Sequence, residues 1–183
     1  MAEPRRGRVN LEKQMREIER LRAEMGAKSP QERVITTRAV ARIVEDVHLE
    51  GRMGKFIVHA DEPISRGGTE QGASPLQFIM VGVAFLLLTQ LARFAPLYDV
   101  PINDASADVR ATFRNTEKYD VDDAPPYFEH VTIALNLASL APAEQAQRLV
   151  AHAERACHAA QTLRHGVDIT LAAMLNGEAL AIS

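Results

Sequence analysis

Ser74-Pro75-Leu76-Gln77 sets the strongest local constraint in the chain. It is a capping box: serine at the N-cap, proline at the first helical position and glutamine at the third. The helix that follows runs to about Phe94 and is apolar on every side through Leu88. A helix with no polar face has to be buried all round. In a chain of 183 residues, that takes a sheet on one side and another helix or a second subunit on the other. One domain with one continuous core fits this length. The unbroken apolar run, Phe78 to Leu88, falls short of the roughly 20 residues that span a bilayer. No membrane association is expected.

The remaining elements read from their periodicity. Leu11, Met15, Ile18, Leu21 and Met25 draw one narrow apolar stripe along a helix over 10–26. That stripe suits docking on a partner or on the chain's own flank. A Val- and Ile-rich stretch predicts a strand over 34–49, a turn over 50–54 and a second strand through Phe56 and Val58. A glycine-rich loop over 65–73 leads to Ser74. Val109, Ala111 and Phe113 alternate with polar residues, as do Val131, Ile133, Leu135 and Leu137, giving two half-buried strands. Between them, Lys118 to Pro126, with Asp120, Asp122 and Asp123, reads as a solvated loop. A helix from about Pro142 to Arg164 is stopped by Gly166, and Val167, Ile169 and Leu171 form a last strand. The order is that of an α+β fold with a mostly antiparallel sheet.

Charge and cysteine usage exclude several classes. The formal net charge is −3, with no polyanion signature, so nucleic acid is not an expected partner. Arg5, Arg6 and Arg8 make a short basic tail. The chain starts in charge rather than in an apolar stretch, so no secretory signal is read. One cysteine leaves no internal disulfide and fits a reducing compartment, hence a cytoplasmic expectation.

Two blocks carry a family resemblance. Asp61-Glu62-Pro63, Gly67-Gly68 and Gly72-Ala73-Ser74-Pro75-Leu76-Gln77 resemble the approach to the central helix of OsmC/Ohr proteins. Ala153-Glu154-Arg155-Ala156-Cys157, then Thr162-Leu163 and Gly166-Val167, are similar to the family's C-terminal helix and its turn into the last strand. The element order agrees across 34–175. Residues 1–28 stand as an N-terminal tail and helix extension, and 29–183 as the OsmC-like domain. The resemblance implies a buried central helix, a C-terminal helix and an intertwined homodimer. It also implies a two-thiol chemistry: one cysteine attacks the O–O bond of an organic hydroperoxide and becomes a sulfenic acid, and a second condenses with it to a disulfide. An arginine and a glutamate assist, in a pocket lined by apolar side chains.

The sequence departs from that pattern at the decisive position. The attacking cysteine should fall twelve residues after Ser74, where Leu86 stands, and leucine cannot be oxidised to a sulfenic acid. The assisting glutamate matches Leu76, and Arg38, Arg42 and Arg52 are arginine candidates by region. Cys157 alone remains, matching the second thiol. It is either a small hydrophobe on an apolar helical face or the centre of a one-cysteine thiol peroxidase. A continuous 142–164 helix would put it near the C-terminal end, where the dipole disfavours a thiolate.

His158 lies about 100° round such a helix from Cys157; with His152 and His165 it makes no expected metal site. Gly67 to Ser74 nearly spells a phosphate loop but has Ala73 where the lysine belongs. No cofactor is implied. Leu76, Phe78, Val83, Phe85 and Leu86 are the pocket candidates for an apolar small-molecule ligand at the dimer interface. The expected function is therefore an OsmC/Ohr-like protein of the stress type without two-thiol peroxidase activity. The alternatives are the one-cysteine enzyme on organic hydroperoxides and an interaction protein that recruits a partner through its N-terminal helix.

Overall fold

The computed structural model describes residues 7–116, 119 and 121–181. Arg5, Arg6, Lys118 and Asp120 lie outside the described residues. The elements are α1 (Leu11–Ala27), β1 (Val40–Glu45), β2 (His48–Met53), β3 (Phe56–Ala60), α2 (Pro75–Phe94), β4 (Asp104–Thr112), β5 (His130–Ala138), α3 (Ala143–Arg155), α4 (His158–His165), β6 (Ala173–Leu175) and β7 (Glu178–Leu180). The strands form three antiparallel sheets, β1-β2-β3, β4-β5 and β6-β7. The architecture is α+β, as the order of elements predicts.

α2 is the hub, touching α1, α3, α4 and β4. Gln77 Oε1 accepts the Ser74 amide at 2.8 Å, satisfying a donor that the start of a helix would otherwise strand. Val83, Ala84, Leu87, Gln90 and Leu91 make one buried stripe. Leu87 and Leu91 join Val100, Leu149, Ala153, Cys157 and Ala160 in the core. Within one chain, however, burial of α2 is one-sided, because Ile79, Val81, Phe85 and Leu86 are exposed. The helix with its following turn, Pro75–Tyr98, is long and apolar enough by length and composition to cross a membrane. The Phe78–Leu88 run taken alone understates it, because the apolar character continues past the breaks at Thr89 and Gln90.

β4 and β5 pair over nine positions, and both alternate in exposure. Their inner face sets small against large: Ala105 opposite Leu137, Ala107 opposite Leu135 and Ala111 opposite Val131. Small residues on β4 leave room for α2, which packs on it.

Three expectations are corrected. The strand over 34–49 is two, since a turn at Asp46-Val47 folds β1 back on β2, with Asp46 at φ 48. Aspartate tolerates that left-handed backbone, and the apolar run on either side hides the turn. The 142–164 helix is broken at Ala156, so that Cys157 is the N-cap of α4. No glycine or proline marks this break. The Gln161 side-chain amide donates there to the Glu154 carbonyl at 3.1 Å, beside the Cys157 backbone amide that bonds the same oxygen at 3.1 Å. Val167, Ile169 and Leu171 are 68%, 89% and 73% exposed and lie in no strand of the described residues. A β6-β7 hairpin follows instead, turning on Asn176-Gly177 with φ 54 and 90. That dipeptide is the turn signal for such a hairpin.

The stripe of α1 docks on the chain itself, against α2 and the turn Ala95–Tyr98, burying Ile18.

Candidate functional site

The approach to α2 is held by one carboxylate. Asp61 is buried. Its Oδ2 accepts the Thr69 hydroxyl at 2.6 Å and the amides of Thr69 and Gln71 at 3.0 and 3.1 Å, while Oδ1 accepts the Glu62 amide at 2.8 Å. Hydrogen bonding by Thr69, backed by the three amides and opposed by burial, holds its pKa down at about 2. The loop closes so tightly that a Cβ on Gly68 would fall 1.7 Å from the Glu62 carbonyl oxygen; only glycine fits. A bridge from Ala60 to Ala73 then aims the chain into α2.

A cavity of about 660 Å³ opens beside the start of α2. Leu76 and Ile79 form one wall, Val131 and Ile133 of β5 another, and Ala160 and Leu163 of α4 a third. Its polar rim is Tyr127, Glu129, His130 and Arg164. Both rim charges already have partners: Glu129 bonds Arg114 at 2.7 Å and Arg164 bonds Glu154. An apolar interior with few polar groups is the ordinary make-up of a small-molecule site.

The candidates from sequence scatter around this cavity. Leu76 lines it. Val83 is buried in the helix's inner face, Phe78 is half-buried, and Phe85 and Leu86 point outward at 64% and 38% exposure. Arg42 is bound through both nitrogens to Glu50 at 3.1 Å, while Arg38 and Arg52 are exposed. None of the three arginines lines the cavity; Arg164, which the sequence reading passed over, does.

Cys157 has no exposure at all and belongs to the core cluster, not to the cavity wall. As N-cap of α4 it sits at the positive end of that helix, not near a negative end as a continuous helix would place it. It also directly follows the C-terminal end of α3, whose dipole acts in the opposite sense.

His152 lies elsewhere. It stacks on Phe94 at 4.2 Å, and its Nδ1 meets the Tyr98 hydroxyl at 2.8 Å. Burial, then Arg155 and Arg22, pushes its pKa below the usual histidine value. Among the described residues, no three His, Cys, Asp or Glu side chains converge in a group that could hold a metal ion.

The fold and this arrangement define a class. The model of the OsmC-like protein family matches residues 68–172, more than half of the chain, and the protein belongs to that family. Solved structures agree in fold. An OsmC-like protein from Mycoplasma pneumoniae superimposes with a TM-score of 0.64 at 17% identity, over 72% of this chain and 89% of its own. The organic hydroperoxide resistance protein OsmC from Legionella pneumophila gives 0.52 at 22% identity, over 74% and 93%. An OsmC-like hydroperoxide resistance protein from Jannaschia gives 0.50 at 22%, over 73% and 87%. No curated protein matches the chain.

Proposed function

We propose that the protein is a cytoplasmic, homodimeric OsmC-like protein that binds an apolar small molecule and lacks two-thiol hydroperoxide reductase activity. One observation carries the reading: the only thiol is fully buried in the core, away from the cavity, and the central helix, where the family resemblance puts the attacking cysteine at Leu86, holds none. A thiol without solvent or substrate access cannot run a peroxide cycle. The apolar walls of the cavity favour a ligand with little charge. The exposed face of α2, with Phe85 and Leu86, supports a second copy as its cover, since a contiguous apolar patch on a soluble protein marks an interface.

The test is anaerobic incubation of the reduced protein with excess cumene hydroperoxide, followed by intact-mass spectrometry. The expected mass is unchanged. Added oxygen on Cys157, or a disulfide-linked dimer, would overturn the reading. Sedimentation of Phe85→Asp tests the dimer: the variant is expected to run as a monomer, and unaltered association would remove α2 from the interface.

The one-cysteine peroxidase draws support from a single feature, the place of Cys157 at a helix N-terminus, which favours a thiolate. Full burial and the adjoining end of α3 oppose it. Against the partner-recruiting reading of the N-terminal helix stands the packing of the α1 stripe on its own chain, which buries Ile18.

A further inference from the structure

One face of the β1-β2-β3 sheet carries two histidines in contact. His48 Nε2 and His59 Nδ1 are 3.1 Å apart, and their rings are tilted by 37°. They come from neighbouring strands: His59 lies directly opposite Glu50, and His48 is two residues before Glu50 on the same side of β2. His59 is exposed and His48 half-buried, so both ring edges can be reached from solvent.

We propose that His48 and His59 form an open binding site for an imidazole-preferring divalent transition-metal ion of the zinc or copper(II) kind. The argument is geometric first. Imidazole nitrogens bind such ions at about 2.0–2.1 Å. Two nitrogens 3.1 Å apart then close on one ion at roughly 100°, between the right angle of a tetragonal copper site and the tetrahedral angle of zinc. The separation therefore needs almost no backbone adjustment, only a change of ring tautomer and a small rotation. Two protein ligands leave the remaining positions to water or to a small exogenous donor, so the site is exchangeable rather than structural.

The surroundings decide whether a cation is tolerated. Arg42 and Arg52 share the sheet face, but Arg42 is neutralised by its two bonds to Glu50. His48 also borders a small cavity of about 140 Å³ together with Glu45 and Asp46 at the β1-β2 turn. Asp61 lines the same cavity, which gives room for bound water.

Calorimetric titration of the full chain with zinc chloride, and electron paramagnetic resonance with copper(II), test the proposal. One equivalent per chain is expected at pH 7.5, with a two-nitrogen copper signature. Affinity should fall by at least about tenfold in both His48→Gln and His59→Gln. His158→Gln and His165→Gln serve as controls and should bind as the parent does. Circular dichroism checks that all four fold. No binding by the parent, wild-type affinity in either sheet variant, or equal losses in the controls would overturn it.

Discussion

The Thr69 hydroxyl donates to the Asp61 carboxylate at 2.6 Å, across a loop of eight residues that leads into the central helix. Because this bond and three amides hold the Asp61 pKa at about 2, the native state keeps Asp61 ionised where the unfolded chain begins to protonate it. The stability it contributes is fully present above the unfolded value near 4 and is lost as pH falls through about 2. Urea midpoints measured from pH 5 to pH 2 should fall in the parent and fall less steeply in Asp61→Asn, which is less stable at neutral pH. Thr69→Val should raise the Asp61 pKa, read directly by carbon NMR of the carboxyl.

His152 works in a second window. Its folded pKa is depressed, so the native state binds fewer protons than the unfolded chain below the usual histidine value. Stability is present above about pH 6.5 and is lost as pH falls through the folded value. His152→Phe keeps the stack on Phe94 but cannot titrate. Its unfolding free energy should be flatter than the parent's between pH 7 and 5, in urea melts at each pH.

Leu149 and Leu140 make a pair of controls on the core. Leu149 is fully buried between α2 and α3, whereas Leu140 is 89% exposed. Leu149→Ala should cost about 2–5 kcal/mol, and Leu140→Ala less than about 0.5 kcal/mol. Equal losses in chemical denaturation would mean the core is elsewhere.

The thiol of Cys157 should be silent in the native state. With Ellman's reagent at neutral pH the folded protein is expected to react only as fast as it opens, and at once in 6 M guanidinium. Prompt stoichiometric labelling of the folded chain would show access that full burial denies.

Much of this architecture is legible in the sequence because period and capping report local physics. The capping box at Ser74 places the start of α2, and the alternation around Val109 and Val131 places the two long strands. Two of the misses share a cause. Asp46-Val47 turns inside an apolar run, and the α3-α4 break carries no glycine or proline, so neither disturbs the pattern that periodicity reads. Asn176-Gly177 did carry its signal. The candidate site was less legible: Leu76 is the nominated pocket residue that lines the cavity. The other walls come from β5 and α4, brought there by tertiary packing, and no spacing along the chain encodes that meeting. Arg164 reaches the rim for the same reason.

The extended stretch holding Val167, Ile169 and Leu171 leaves a strand's length of backbone without a ladder partner among the described residues. Such an edge is adhesive. Its hydrogen bonds have to be supplied by water or by another polypeptide, and only the latter also shelters the three side chains. If the second copy proposed above supplies them, mass action enters the fold itself: dilution withdraws that copy, and the melting temperature of this protein should climb with its own concentration.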